Sequence, residues 1–394
     1  MKPYFLDLHV HIGRSGDGKP VKITASPDLT LRNILVECRE KKGIELVGIV
    51  DCSSTGVLAD LREMVRTGEL TALAGGGFCF RDRITLFTGV ELETKEPSGG
   101  RAHYLSFFPT LEHIERFARF VALQVKNPQL STQACYLPAL QLMEAVLGMG
   151  GIFIPAHAFT PHKSLFGSCA ASLREVFGAR SDQIKALELG LSADSGMAAL
   201  LPNLRELTFF SNSDAHSLDK IGREYNRVML DEPDFQELVY LVRRKKGRKI
   251  LGNYGLDPRL GKYHRSFCNR CKKSLIMDGP VLKCPFCGEE RDFVRGVLDR
   301  IMHIAGSAGD TGGQYTVPYY YQVPLTFLPG VGKRTIRKLI ERFGSEMAVL
   351  HEAEYTELAE AAGTEAAAMI MRARRGQLKY VPGAGGIYGR ISRG

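Results

Sequence analysis

Through the first 250 or so residues, short apolar runs alternate with helical stretches, and several of the runs close on a polar side chain that can hold a metal. ELVGIVD (45–51), ITLFTGVELE (84–93), RAHYLSFFP (101–109), GGIFIPAH (150–157), IKALELGL (184–191) and LTFFSNSD (207–214) read as strands. LTLRNILVECREKKG (29–43), HIERFARFVALQVK (113–126) and LQLMEAVLGMG (140–150) read as helices. Strand and helix in turn imply an α/β layer fold with parallel strands, and in such folds ligands collect at the carboxyl ends of the strands. Asp51, His157 and Asp214 stand at such ends. The opening strand, FLDLHVHIG (5–13), is more pointed. Side chains alternate along a strand, so Asp7, His9 and His11 share one face of what is otherwise a core element.

The same chemistry recurs down the chain. After His9 and His11 come Asp51, Glu91 in GVELE, His103 in RAHYL, His157 in PAHAF, and Asp214 with His216 in SNSDAH. Neutral imidazoles and carboxylates are natural ligands of Zn, Mn or Fe. A shared carboxylate can bridge two metals about 3.5–4 Å apart, the arrangement used for phosphoester displacement. Taken singly, each residue has a plainer reading: a buried histidine is usually a hydrogen-bonded core residue, and Glu91 can simply pair with a lysine. Eight of them ordered along successive strand ends are not explained by packing, because unpaired buried charge costs several kcal/mol.

The remainder differs in kind. Residues 1–242 carry 25 Lys+Arg against 29 Asp+Glu, and residues 243–394 carry 27 against 14. A basic appendage on a mildly acidic body suits a polyanion, nucleic acid first, or else a merely solvated basic surface. RRKKGRK (243–249) reads as a solvated helix end. CNRC (268–271) and CPFC (284–287) present Cys268, Cys271, Cys284 and Cys287 at the spacing of a structural zinc site, one that staples a loop-rich segment. Just before it, GKYH (261–264) offers Lys262 and His264 to a phosphodiester, or to solvent.

The stretch 303–324 is rich in Gly, Ser and Thr and reads as a linker. In LTFLPGVGKRTIRKLIERFGS (325–345), Gly330 and Gly332 let backbone approach a phosphate, and Lys333, Arg334, Arg337 and Lys338 follow in the first turns of a helix. LAEAAGTEAAAMIMRAR (358–374) is like a degenerate second copy. The tail LKYVPGAGGIYGRISRG (378–394) reads as a loose basic arm, or as a flap that folds over substrate with Tyr380 or Tyr388 on a base. QVPLTF (322–327) is similar to a sliding-clamp peptide, with core packing as its plainer use. The expected division is therefore 1–257, a metal-dependent domain; 258–302, a four-cysteine zinc domain; 303–324, a linker; 325–376, a helical DNA-binding unit; and 377–394, the tail. No apolar run reaches the roughly 20 residues of a membrane span, no leader is visible, and the paired cysteines suit a reducing compartment. The cytoplasm is the expected location, with no membrane partner.

DLHVH, GVELE, PAHAF and SNSDAH resemble the successive signatures of the PHP (polymerase and histidinol phosphatase) superfamily across about residues 3–250. That resemblance implies a distorted (β/α)7 barrel that hydrolyses phosphoesters with two or three divalent metals (Zn, Mg or Mn) at the strand ends. His9, His11, Glu91 and Asp214 would hold one metal. Glu91, His103 and His157 would hold a second, with Glu91 as the bridge. His216 and Asp51 would contribute to a third, and Asp7 would orient a ligand histidine from behind. Asp214, Glu91 and His216 would be the catalytic residues. The superfamily often has Asp-His after its second strand, whereas this chain has Asp51-Cys52, which leaves the third site's composition open.

Barrel, ribbon and a helix-hairpin-helix unit in this order, with PAHAFTPHKSLFGS, ELGLSADSGM and GKYH, resemble the endonuclease Q family in its bacterial form. The resemblance implies cleavage of damaged DNA, duplex or single-stranded. The cut would fall 5′ to deaminated bases (uracil, hypoxanthine, xanthine) and abasic sites, leaving 3′-hydroxyl and 5′-phosphate ends. Gly330, Gly332, Lys333, Arg334, Lys338, Lys262 and His264 would contact the DNA. The rival readings are a small-molecule phosphoesterase of histidinol-phosphatase type, an inactive DNA-binding scaffold, and a processive exonuclease.

Overall fold

The computed structural model describes residues 1–96, 98–306 and 317–392. Seven strands form the distorted barrel: β1 (Lys2–Val10), β2 (Leu46–Ile49), β3 (Ile84–Lys95), β4 (Arg101–Phe108), β5 (Ile152–Pro155), β6 (Ala186–Glu188) and β7 (Thr208–Phe210). β1, β2 and β3 run parallel, as do β6 and β7, but β4 is antiparallel to both β3 and β5. The short link between β3 and β4 explains that departure from an all-parallel sheet. A parallel return needs a crossover of a dozen or more residues, and 96–100 offers only a hairpin.

The barrel's closure is irregular. β5 leads to β6 through Ala158 N–H on the Glu188 carbonyl at 2.8 Å, and the segment beyond β7 reaches β1 through Ala215 N–H on the His9 carbonyl at 3.1 Å. Buried amides supply bonds that a missing ladder would leave unmade. Asn226 donates to the Leu6 and Ser211 carbonyls and accepts from Ser211 N–H, Asn253 donates to the Phe209 carbonyl, and Asn212 accepts from Leu8 N–H. By alternation Phe87, Leu105 and Phe107 share faces with Glu91 and His103, and all three are fully buried. Gly48 and Gly89 leave room for the Phe107 ring, which a Cβ would meet at 2.8 and 2.6 Å.

Three more strands widen the sheet beside β1: β8 (Tyr225–Leu230), β9 (Lys249–Gly255) and β10 (Tyr319–Tyr321). β10 lies inside the stretch expected to be a linker and pairs in parallel with β9. Helix Val297–Gly306 also runs across the expected 302/303 boundary. The chain between is therefore structured at both ends, and 307–316 lies outside the described residues. Composition misled here because β10 acquires its partner only from the distant β9. The clamp-peptide reading fails for a related reason. Gln322, Val323 and Leu325 are buried in this chain's own fold, which leaves only part of the peptide, Phe327 among it, open to a partner.

The cysteine segment folds as three two-residue strands, Phe267–Cys268, Lys273–Ser274 and Phe293–Val294. Asp299, fully buried on helix Val297–Gly306, pairs with Arg265 at 3.0 Å and accepts from the backbone of Ser266 and Val281, tying that helix to the ribbon. Four helices follow: Lys333–Phe343, Glu346–His351, Tyr355–Ala362 and Thr364–Arg374. Lys42 and Glu346 form a buried ion pair at 2.7 Å between this unit and the barrel. Among the described residues, no helix is long and apolar enough to cross a membrane.

Candidate metal centre

Alternation along β1 brings the His9 and His11 Nε2 atoms within 3.2 Å of each other, at the barrel mouth. Two groups that could hold a metal meet there, His9 with His11 and Asp214, and Glu91 with His103 and His157; within each, the donor atoms lie within 4.8 Å of one another. Glu91 joins the groups. Its Oε1 lies 2.8 Å from His103 Nδ1, 3.3 Å from His157 Nε2 and 3.6 Å from His9 Nε2, and its Oε2 lies 3.5 Å from His11 Nε2. Asp214 Oδ1 stands 3.4 and 3.6 Å from His11 and His9. One carboxylate facing both groups is the donor set of a bridged pair of divalent metals, so the residues present fit the metals that the fold implies.

Two of these candidate ligands are held against backbone preference. His157 (φ +30°) and Asp214 (φ +45°) lie in the left-handed region, which costs side-chain-bearing residues about 1–3 kcal/mol. Electrostatics keep the carboxylates ionised. Burial alone would raise the Glu91 pKa, but His103 and Lys22 hold it well below the usual range. Asp214 is likewise depressed despite burial, by His9, His11 and His216. Burial pushes His9 down, yet Glu188, Asp214 and Glu91 overrule it and lift its pKa to about 10.

Behind the ligands stand carboxylates that fix the imidazole rings, an arrangement that sets tautomer and basicity. Glu188 holds His9 Nδ1 at 3.0 Å, Asp51 holds His11 Nδ1 at 3.1 Å, and Glu93 sits 3.2 Å from His103 Nε2. Asp51 is thus placed differently from the third-site ligand expected of it. Both its oxygens face His11 Nδ1, Oδ2 also accepts from Ile12 N–H, and neither belongs to a ligand group. The Cys52 thiol points to the Ile49 carbonyl instead. Asp7 does not touch an imidazole. It accepts from the backbone N–H groups of His9, Ser213 and Gly222, and so ties the loop that carries Asp214 to β1. His216 stands beside Asp214, 3.5 Å from its Oδ1, outside both groups.

Glu188, Glu93 and Lys22 escape the sequence reading. Lys22 donates to Glu91 Oε2 at 3.2 Å, and Thr132 does so at 2.8 Å. Glu93 was within reach of alternation, since it shares a face with Glu91 and stands opposite His103 across the β3–β4 pair.

A 520 Å³ cavity opens over the ligands, and Lys262, Tyr263 and Tyr388 line it. His264 does not line it; its ring is partly buried, and Nδ1 finds no hydrogen-bond partner. Lys333, Arg334 and Lys338 are exposed, as is Gly332, while Gly330 takes φ +83° in the turn before the helix. The four cysteines converge on one point, with Cys268–Cys287 sulfurs 3.7 Å apart and Cys271–Cys284 sulfurs 3.8 Å apart. A zinc–thiolate bond of about 2.3 Å in a tetrahedron sets sulfurs about 3.8 Å apart, so the site fits structural zinc.

The fold and the bridged ligand set define a metal-dependent phosphodiesterase of the PHP superfamily, and the family described as PHP-associated matches residues 197–246. The protein YqxK of Bacillus subtilis (strain 168) is 45% identical over 396 residues, spanning 99% of this chain and 100% of its own. The lesion-specific endonuclease PfuEndoQ of Pyrococcus furiosus superimposes with a TM-score of 0.83 at 31% identity, covering 99% of this chain and 95% of that one. Endonuclease Q bound to a 27-mer duplex with an abasic lesion at its active site gives 0.81 at 31% identity, covering 99% and 96%. This chain belongs to the endonuclease Q family.

Proposed function

We propose that this protein is a DNA repair endonuclease that hydrolyses the phosphodiester 5′ to deaminated bases (uracil, hypoxanthine, xanthine) and to abasic sites, leaving 3′-hydroxyl and 5′-phosphate ends. The observation that carries the reading is the Glu91-bridged ligand set, in a chain similar from end to end to a lesion endonuclease whose complex holds an abasic duplex. That end-to-end similarity, together with the basic hairpin unit, also disfavours a small-molecule phosphoesterase. Such an enzyme would have no use for the C-terminal modules.

His9, His11 and Asp214 would hold one metal, and Glu91, His103 and His157 a second. Bound there, the metals would supply an activated water and neutralise charge on the phosphate. Asp51, Glu188 and Glu93 keep the imidazoles oriented, and Lys22 adds positive charge beside Glu91. Lys333, Arg334 and Lys338, with the amides at Gly330 and Gly332, would grip the DNA backbone without reading its sequence. Extrusion of the damaged nucleotide toward the cavity is least costly at mismatched, damaged or abasic positions, which favours lesions over intact DNA.

The test is one end-blocked duplex carrying a single deoxyuridine, beside its undamaged twin, incubated with enzyme and Mg²⁺ or Mn²⁺. A single nick immediately 5′ to the lesion, absent from the twin, is expected. Blocked ends exclude an exonuclease, and hydrolysis of phosphate monoesters with both duplexes intact would overturn the reading. Asp214→Ala should abolish the nick while DNA binding survives.

A further inference from the structure

The C-terminal tail is a built element of the cavity. Tyr380–Val381 pairs antiparallel with Arg390–Ile391, and Gly385 and Gly386 turn the hairpin between them at φ +58° and +85°. The hairpin lies against the segment that precedes the zinc ribbon. Gly383 N–H donates to the Arg259 carbonyl at 2.8 Å, and Gly389 N–H to the Leu260 carbonyl at 2.9 Å. Neither glycine tolerates a side chain. A Cβ on Gly383 would lie 2.6 Å from the Gly261 carbonyl oxygen, and one on Gly389 would lie 2.4 Å from that of Val381. Arg259, itself paired with Asp257, covers the Tyr380 ring from 4.8 Å. So close a fit is more than a solvated basic arm requires.

What the docking achieves is the placement of Tyr388. Its ring lines the cavity over the ligand groups, 47% exposed, with Lys262 Nζ 4.5 Å from its centroid. Tyr263 and His162 line the same cavity, their rings edge to face at 5.7 Å. One side of the cavity is thus carboxylate and imidazole, and another is aromatic with a cation. Every base has a π-face, so an aromatic wall suits a pocket that must take uracil and purine lesions alike.

We propose that Tyr388 is a positioning residue for the extruded nucleotide, its ring stacking on the damaged base while the 5′ phosphodiester lies over the ligand groups. The inference rests on the lesion-endonuclease reading and adds to it a role for the tail.

An abasic nucleotide has no base to stack on, and this separates the stacking role from a structural one. Cleavage of a deoxyuridine duplex and of an abasic duplex is compared at subsaturating substrate for the full-length wild type, Tyr388→Ala and Tyr388→Phe. Tyr388→Ala should lower the deoxyuridine-to-abasic ratio by about tenfold, the effect of removing one base–aromatic stack. Tyr388→Phe should keep the ratio near wild type. Equal loss on both duplexes, as misfolding or a purely structural role would give, overturns the stacking role and leaves the functional reading intact. So does a Phe variant as impaired in ratio as the Ala variant. A wild type that cuts neither duplex overturns both.

Discussion

Asp51→Asn decides between a ligand and a residue that holds a ligand. The Asp51 side chain is buried, each oxygen lies 3.1 Å from His11 Nδ1, and Oδ2 accepts from Ile12 N–H at 2.5 Å. Asparagine keeps the size and one acceptor toward Nδ1 but removes the negative charge that makes the far ring nitrogen more basic. Loss of such a partner weakens metal binding by about 10- to 100-fold, or about 1.4–2.7 kcal/mol. The assay strips wild type and variant with chelator, titrates both with Mn²⁺ calorimetrically, and counts bound ions by mass spectrometry at saturation. The expected result is an unchanged number of ions, a weaker association, and cleavage recovered at excess Mn²⁺. One ion fewer at saturation would make Asp51 a direct ligand, and unchanged affinity would leave it without a role at His11.

Removing Lys333 and Lys338 together as alanines should weaken duplex binding uniformly across sequences. The slope of log affinity against log salt should also fall by about 1 for each phosphate that is no longer neutralised, which fluorescence anisotropy at several salt concentrations measures. Cys271→Ser should cost one equivalent of zinc and unfold the ribbon in hydrogen exchange, while metal binding at the barrel mouth persists. His351, which packs on Phe5 and Tyr254 with Nε2 2.6 Å from the Tyr225 hydroxyl, is pushed down to about 4, first by burial and then by Arg227 and Arg374. A base depressed by folding contributes its stability above the unfolded pKa of about 6.5, and that contribution is lost as pH falls from there to about 4. The loss should reach about 2–3 kcal/mol and be absent in His351→Gln, as read from denaturant melts across pH.

Wherever a short-range rule governs, the sequence is legible. Period-two alternation put His9 and His11 on one face, and the structure brings their Nε2 atoms together with Glu91 and Asp214. Paired C-x2-C spacing likewise identified four thiols that do converge. Asp51 shows the limit. A carboxylate at a strand end looks the same in sequence whether it faces a metal or the back of an imidazole, because the choice depends on which nitrogen of His11 turns toward it. Glu188 is harder still, since it lies 179 residues from His9 and only closure of the barrel joins them. β10 and the tail hairpin were hidden by composition. Gly-rich, Tyr-rich segments look loose until a distant partner, β9 or the Arg259–Gly261 turn, offers its backbone.

Lys42 connects the two ends of this chemistry. Its ammonium donates to the Asp219 carbonyl at 2.9 Å and to Glu346 at 2.7 Å, with the lysine and the glutamate both buried from solvent. Asp219 closes the stretch that carries Asp214 and His216, and Glu346 opens the second helix of the four-helix C-terminal unit, its other oxygen accepting Leu325 N–H at 2.9 Å. A buried pair of this kind is costly to break from one side, about 3–5 kcal/mol, because the remaining charge has no solvent to turn to. The unit proposed to grip the backbone therefore does not hang on a flexible tether. Lys42 joins it to the loop that presents Asp214, a candidate ligand, and His351 packs the same unit against Phe5 and Tyr254 of the barrel sheet. Under the proposed function, a phosphodiester held at Lys333 would be tied through this contact to the barrel mouth.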